Sequence, residues 1–262
     1  MKDVLSEIVA HKLRKVDKQK QLLTINEIEK RIEAQSYKSL SLKESLLCSS
    51  HGIIAEFKRR SPSKSWINQC ADSSIVPLQY EHNGAAALSI LTDETYFGGN
   101  LKDLQQALSQ TSIPVLRKEF IVDEYQIYES KMHGAHAVLL IAAALTPQQS
   151  KQFTQTALRL GLEVLLELHD EKEIDYISHL NNMIGINNRN LGSFETTVDK
   201  SFKMIDTLPT EAVLISESGI SDPQTVYALR QVGYKGFLIG ENFMKTDHPG
   251  KALQQFINGI HE

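Results

Sequence analysis

A pattern of short apolar strand, polar turn and amphipathic helix repeats along the chain from residue 53 onward. Apolar runs that are hydrophobic on both faces, separated by helical segments, indicate parallel strands buried between helices. We predict eight such strands, at 53–58, 86–92, 115–118, 137–142, 162–168, 183–187, 213–216 and 236–240. Helices are predicted between them at 101–109, 124–133, 147–160, 170–180, 200–207 and 223–232.

Eight units of roughly 20–30 residues favour a closed (β/α)8 TIM barrel over an open doubly wound sheet. Capping residues before proline mark helix starts at Thr146-Pro147 and Asp222-Pro223. No G-x-G-x-x-G run follows the first strand, which argues against a dinucleotide-binding fold. The sequence therefore predicts an α/β protein with one barrel domain over 1–262.

Residues 1–47 precede the first predicted strand and carry apolar residues at helical spacing. We interpret them as an N-terminal helical extension of the barrel. Such an extension could cap the barrel or contribute to a site, and a dimerisation arm is the alternative.

Composition excludes several classes of function. The 262 residues are 41% hydrophobic and 23% charged, with a net charge of −4, so no basic footprint for nucleic acid is present. No apolar run is long enough to cross a membrane. Cys48 and Cys70 have neither metal nor redox spacing, which indicates a reduced, cytoplasmic setting. The histidines form no ligand cluster, so no metal is expected, and we interpret His169 as structural.

The first predicted strand places Glu56 and Lys58 two residues apart near its end. Residues at this spacing share one face of a strand, so an acid and a base would share one environment. Ser61, in the loop that follows, adds a hydroxyl. A surface salt bridge is the alternative to a catalytic pair.

Other strands also end in polar residues, and the active site of a barrel lies at the C-terminal ends of its strands. A packed core has no use for such groups, because an unpaired buried charge is costly. The set favours a catalytic cluster over a structural ion-pair network and comprises Lys118 on the third strand, Glu167 on the fifth, Asn187 and Arg189 on the sixth, Glu217 and Ser218 on the seventh and Glu241 on the eighth.

The loops after the seventh and eighth strands contain Gly219 and Gly240. Glycine lets backbone N–H groups approach an anion, and phosphate sites of this fold recur in this pair of loops. Ordinary turns that need glycine for their backbone conformation are the alternative.

Five blocks, in order along the chain, resemble the indole-3-glycerol-phosphate synthase family. They are Ile54-Ala55-Glu56-Phe57-Lys58 with Ser61-Pro62-Ser63-Lys64, Leu91-Thr92-Asp93 with Tyr96-Phe97-Gly98-Gly99, Arg117-Lys118-Glu119-Phe120, Gly185-Ile186-Asn187-Asn188-Arg189-Asn190-Leu191 and Ser216-Glu217-Ser218-Gly219-Ile220. The chain departs from the family at Glu119, where aspartate is usual, and at Ser65, where glycine is usual. Glu119 leaves the chemistry intact but can shift the positioning of the adjacent Lys118. Ser65 bears on the mobility of the loop after the first strand, not on the role of that loop.

The resemblance implies ring closure of 1-(2-carboxyphenylamino)-1-deoxyribulose 5-phosphate to indole-3-glycerol phosphate, with loss of CO2 and water, in tryptophan biosynthesis. The electron-rich aniline ring drives the attack, so no cofactor is expected, and the expected partner is this phosphorylated small molecule. We expect a monomer rather than a homodimer.

The resemblance also implies roles for the candidate residues. Lys118 matches the general acid of ring closure, while Glu167, Lys58 and Glu56 match the groups used for dehydration. Asn187 and Arg189 would orient the substrate, Glu217 and Ser218 would line the site, and Phe97, Phe120 and Leu191 could pack on the anthranilate ring. How the later proton transfers divide among Glu56, Lys58 and Glu167 stays open.

Two rival functions fit the sequence less well. Another phosphosugar barrel, such as phosphoribosylanthranilate isomerase or thiazole synthase, is the first; an isomerase of that kind needs an early cysteine, and Glu56 and its neighbours stand there instead. A non-catalytic barrel that binds a phosphate ligand is the second, and the strand-end lysines argue against it.

Overall fold

The computed structural model describes residues 4–62, 64–190 and 195–261. Within these ranges, eight parallel strands close into a barrel: β1 (Ile53–Phe57), β2 (Ala87–Leu91), β3 (Val115–Lys118), β4 (Ala137–Ile141), β5 (Glu163–Leu168), β6 (Met183–Asn187), β7 (Val213–Glu217) and β8 (Gly236–Ile239). Each strand pairs with its neighbour in sequence, and β8 closes the sheet on β1, with Ala55 opposite Ile239. The predicted (β/α)8 barrel is confirmed.

The strands are buried on both faces, as their unbroken apolar runs predict. One cluster of buried side chains fills the barrel interior and includes Ile54, Leu139, Leu165 and Ile215. A larger cluster lies between the outer face of the sheet and the surrounding helices. Glu56, Lys118, Glu167 and Glu217 lie at or next to the C-terminal ends of their strands, at one mouth of the barrel.

The α-helices are α1 (Val4–Leu22), α2 (Ile25–Glu33), α3 (Leu42–Cys48), α4 (Val76–His82), α5 (Leu101–Gln110), α6 (Tyr125–Met132), α7 (Pro147–Arg159), α8 (Asp199–Met204), α9 (Pro223–Gln231), α10 (Glu241–Met244) and α11 (Pro249–Asn258). The predicted caps are present, since the side chains of Thr146 and Asp222 accept hydrogen bonds from the first turns of α7 and α9. Among the described residues, no helix has the length and hydropathy to cross a bilayer.

One predicted helix is wrong. The segment 170–180 forms a 3₁₀ helix over Glu171–Tyr176 instead of an α-helix. It buries none of its residues, and an α-helix in a globular protein is stabilised mainly by burying one face. Shorter 3₁₀ turns occur at Ala142–Ala144 and Ile205–Thr207, and a small antiparallel hairpin joins Arg60–Ser61 to Ser65–Trp66 after β1.

Two of the three N-terminal helices, α3 and α1, reach opposite ends of the barrel, while Ile28 of α2 packs against α6. Helix α3 closes the end where the strands begin, because Leu46 belongs to the interior cluster and lies against Gly236 at the start of β8. Helix α1 reaches the opposite end, where Leu5 and Ile8 line the cavity described below.

Candidate active site

A cavity of about 450 Å³ opens at the mouth of the barrel formed by the C-terminal ends of the strands. Apart from Glu217, whose carboxylate contacts Lys118, the predicted site residues that the structure describes all line it: Glu56, Lys58, Ser61, Phe97, Lys118, Phe120, Glu167, Asn187, Arg189, Ser218, Gly219, Gly240 and Glu241. Leu191, the last predicted residue, lies outside the described residues.

Lys118 ends β3, and its ammonium lies between two carboxylates. Its Nζ is 3.0 Å from Oε2 of Glu167 and 2.5 Å from Oε2 of Glu217. Burial by itself lowers the pKa of Lys118, but the neighbouring glutamates outweigh burial and raise it above its ordinary value. Lys118 is therefore a cation throughout the neutral pH range.

The two carboxylates beside Lys118 come from strands on either side of β6. A Cβ atom on Gly185 of β6 would lie 2.3 Å from Oε1 of Glu217, so the absence of a side chain there makes room for this carboxylate. Burial raises the pKa of Glu217, and the charge of Glu167 adds to this effect. The pKa of Glu167 is lowered although burial opposes it, because Lys118 and His169 favour its charged form. The pair thus holds one carboxylate firmly ionised and one closer to its neutral form.

Glu56 and Lys58 form a second acid–base pair at the end of β1. Oε1 of Glu56 is 2.5 Å from Nζ of Lys58, and Glu56 is only 2% exposed. Gly240 lies directly against Glu56, because a Cβ atom there would come within 2.4 Å of Oε1. This glycine therefore provides space for the Glu56 side chain, a role that its position in a phosphate-type loop does not reveal.

The loop after β7 is built for close backbone approach. Ser218 and Gly219 both have positive φ angles, 68° and 76°. A Cβ atom on Gly219 would lie 2.5 Å from the methyl group of Thr196, so only glycine fits. Asn188 supports the loop by donating to the carbonyl of Ser218 and to the hydroxyl of Ser216, both at 3.0 Å. Sequence reasoning missed Asn188 because its amide faces the protein rather than the cavity.

Asn187 ends β6, Arg189 follows it, and both line the cavity near the loop after β8. The side chain of Asn187 accepts a hydrogen bond from the backbone N–H of Arg189 at 3.0 Å. The guanidinium of Arg189 lies 3.6 Å from Glu241, which also pairs with Lys64 at 2.9 Å. Burial alone would raise the pKa of Glu241, but the neighbouring cations outweigh burial and lower it, with the largest contribution from Lys64. Positive charge thus gathers on one side of the cavity.

Apolar residues form one wall of the cavity, next to the loops after β2 and β3. The rings of Phe97 and Phe120 lie 5.8 Å apart, centroid to centroid. Val4, Leu5 and Ile8 of α1 also line the cavity. The apolar spacing of the extension is consistent with such a contact, which was favoured from sequence over the alternative of a dimerisation arm.

His169 lies closer to the site than its structural interpretation suggests. Its Nε2 is 3.2 Å from Oε1 of Glu167, and burial lowers the pKa of this imidazole.

Ser65, one of the two departures from the family pattern, has a φ of 56°. This left-handed conformation favours glycine, which explains the usual residue at that position.

The fold and this site define a class of protein, a (β/α)8-barrel enzyme. Its cavity combines a cationic lysine, buried carboxylates and an apolar wall with a glycine-containing loop suited to binding an anion. Residues 5–256 match the model of the protein family described as "Indole-3-glycerol phosphate synthase". A curated indole-3-glycerol phosphate synthase of Bacteroides thetaiotaomicron is 54% identical over 260 residues, covering 99% of this chain and 100% of the relative. Another, from Neisseria meningitidis serogroup B, is 41% identical over 251 residues, covering 94% of this chain and 96% of the relative.

The chain belongs to the indole-3-glycerol phosphate synthase family. It is accordingly a decarboxylating lyase of tryptophan biosynthesis that acts on a phosphorylated small molecule. Among solved structures, a mutant tryptophan synthase alpha-subunit from Pyrococcus furiosus matches with a TM-score of 0.60 at 13% identity, covering 80% of this chain and 97% of that one. At this identity the likeness concerns the barrel fold alone.

Proposed function

We propose that Lys118 is the general acid that closes the indole ring of 1-(2-carboxyphenylamino)-1-deoxyribulose 5-phosphate. The observation that carries this proposal is the position of its ammonium, held cationic between Glu167 and Glu217 at the mouth of the cavity. The ring carbon that bears the carboxylate attacks the ketose carbonyl, and the carbonyl oxygen gains negative charge. A positioned cation stabilises this charge and can supply the proton.

The later steps need one more acid and a base. Once the carbon–carbon bond has formed, CO2 departs and leaves its bonding electrons in the ring. The new hydroxyl then leaves as water after taking a second proton, while a base removes a proton from the carbon beside the nitrogen. We assign these transfers to Glu56, Lys58 and Glu167, since the 2.5 Å pair at the end of β1 and the ionised Glu167 lie on opposite sides of Lys118's strand.

Binding of the substrate divides between the two sides of the cavity. We assign the phosphate to the backbone around Gly219 and Gly240, with Ser61 nearby. Arg189 would hold the departing carboxylate, supported by Asn187 through the hydrogen bond to the Arg189 backbone. The anthranilate ring would lie against Phe97 and Phe120.

We also propose that the extension and the barrel form one domain, that the protein is a monomer and that it works in the cytoplasm. Val16 and Ile28 of the extension pack with Tyr125 and Tyr128 of α6, so the apolar face of the first helices is covered by their own barrel. Two free, exposed cysteines suit a reducing compartment.

The direct test is turnover by the purified protein. With the carboxyphenylamino substrate, we expect indole fluorescence to rise and one CO2 to be released per product, unchanged by a metal chelator. Inorganic phosphate should compete with the substrate, and the dephosphorylated analogue should show a much higher KM. A folded protein that gives no indole product contradicts the reaction; an unchanged KM for the analogue contradicts the phosphate assignment alone.

A further inference from the structure

Lys12 occupies a position of α1 where the pattern calls for an apolar residue. The buried residues of this helix are Leu5, Ile8, Lys12 and Val16, which form one stripe at helical spacing. Lys12 is only 2% exposed. A buried ammonium is costly unless it is paired, so this lysine must meet partners across the interface between α1 and the barrel.

The partners of Lys12 are two buried carboxylates from neighbouring strand-end loops. Its Nζ lies 2.8 Å from Oδ2 of Asp93, which follows β2, and 2.7 Å from Oε1 of Glu119, which follows β3. Asp93 and Glu119 are 1% and 3% exposed. Burial lowers the pKa of Lys12, but these two carboxylates outweigh burial and raise it.

Each carboxylate also holds the backbone of one aromatic residue of the cavity wall. Asp93 accepts through Oδ1 from the backbone N–H of Tyr96 at 2.6 Å and of Phe97 at 3.0 Å. Glu119 accepts through Oε1 from the backbone N–H of Phe120 at 2.8 Å. One ammonium on α1 therefore joins the two loops that present the facing rings of the wall.

The second oxygen of Glu119 fixes this carboxylate from the barrel side. Oε2 accepts from the hydroxyl of Thr92 at 2.9 Å and lies 3.8 Å from the guanidinium of Arg117. Arg117 is itself paired with Glu129 at 2.7 Å. Glu119 thus has one oxygen for the barrel network and one for α1, and the residue next to it in sequence is Lys118.

We propose that Lys12 is a positioning residue of the reaction, which ties α1 to the loops after β2 and β3 and so sets the aromatic wall beside Lys118. Lys12 does not touch the substrate; it acts through Asp93 and Glu119 on Phe97 and Phe120. This role rests on the proposed function, since Phe97 and Phe120 are the residues to which we assign binding of the anthranilate ring.

The test separates positioning from mere stability. In Lys12→Met two buried carboxylates lose their counter-ion, so a second variant, Lys12→Met with Asp93→Asn, removes one buried charge of each sign. The asparagine side chain can still accept from the N–H groups of Tyr96 and Phe97, so the local turn is kept while its tie to α1 is lost. Activity is measured well below the thermal midpoint of each variant.

We expect kcat/KM of both folded variants to fall about 10-fold to 100-fold, since a displacement near 1 Å can cost as much. The matched control is Lys15→Met on the same helix, whose partner Glu94 is 60% exposed at the side chain, and it should keep wild-type kinetics. In a Phe97→Ala background the loss of Lys12 should cost much less, because the wall that it positions is already impaired.

Amide hydrogen exchange supplies a readout that does not depend on turnover. Peptides containing Phe97 and Phe120 should exchange faster in the double variant and stay unchanged in Lys15→Met. Kinetics within two-fold of wild type in the folded double variant, or an equal loss in the Phe97→Ala background, would overturn the positioning role. If the wild type itself fails to turn over substrate, the proposed reaction is wrong, and exchange alone decides whether Lys12 holds the two loops.

Discussion

Charged side chains are tolerated inside this barrel only where each has a partner and a space shaped for it. Lys118 has two carboxylates, and one of them fits because Gly185 has no side chain. The strand-end rule predicted Lys118, Glu56 and Glu167 from sequence, since parallel strands of one barrel end at the same mouth. The strand-end rule could not predict that Gly185 makes room for Glu217. That contact depends on the side-chain conformation of Glu217, which lies against the neighbouring strand β6.

Gly185→Ala tests this spatial requirement. The added methyl group would collide with Glu217 and come within 3.2 Å of Leu165, so the carboxylate must move away from Lys118. We expect a loss of stability of about 1–3 kcal/mol and a fall in kcat of at least 10-fold. Activity is measured by indole fluorescence and stability by denaturant unfolding.

The control for that variant is Gly134→Ala. Gly134 has a φ of 87°, follows α6 and lies before β4, at the end of the barrel opposite the cavity. Alanine there should cost about 1 kcal/mol through backbone strain and leave kcat unchanged. An equal loss of kcat in both variants would mean that destabilisation, not displacement of Glu217, explains the result.

The elements themselves were largely predictable from sequence. The strands follow from apolar runs, and the starts of α7 and α9 follow from a capping residue before proline. The segment 170–180 was mispredicted because its composition suits a helix, while none of the residues from Glu171 to Tyr176 is fully buried. The position of α1 at the mouth of the barrel was not predictable either. The apolar pattern of the strands gives their order and burial, but it does not say where a helix outside the β/α repeat packs.

Ser65→Gly tests the strained element after β1. Ser65 sits in the left-handed region at φ 56° within the small hairpin, a conformation that costs an L-residue about 1–2 kcal/mol. Glycine relieves this strain but loses more chain entropy, about 0.5–1 kcal/mol. We therefore expect the free energy of unfolding to stay equal or rise slightly.

The matched substitution is Ser109→Gly in α5, where the serine has helical geometry. It should lower the free energy of unfolding by about 0.5 kcal/mol, from the difference in helix propensity. A larger loss at Ser65 than at Ser109 would contradict the strain at Ser65.

At the scale of the whole molecule, buried histidines couple folding to pH. His136 lies just before β4 and is 8% exposed, and its Nδ1 accepts a hydrogen bond from the backbone N–H of Val115 at 3.1 Å. Burial, with smaller contributions from Lys38 and Lys131, lowers the pKa of His136 to about 4. The folded protein therefore keeps this imidazole neutral where the unfolded chain protonates it.

The sign of the effect follows from this difference. Below the ordinary pKa of about 6.5 the unfolded chain binds the extra proton, so the free energy of unfolding falls as pH drops from about 6.5 to 4, by up to about 1.4 kcal/mol per pH unit. His136→Gln keeps an acceptor for Val115 but cannot titrate, so the slope in this window should flatten. Denaturant unfolding at several pH values measures it, and an unchanged slope would contradict the role of His136.

The central claim is that Lys118 supplies the proton and the positive charge for ring closure, and the kinetics of Lys118→Met test it most directly. Methionine keeps the length of the side chain and removes its charge, and Glu217, whose pKa is raised by burial, can take up a proton beside it. The barrel should therefore fold, and KM should change little. Loss of a positioned acid lowers the rate by about 10²–10⁴-fold, and lost electrostatic stabilisation adds to this. We predict a fall in kcat of that size; a folded variant that keeps more than about a tenth of wild-type kcat would contradict the claim and make Lys58 the first candidate for the acid.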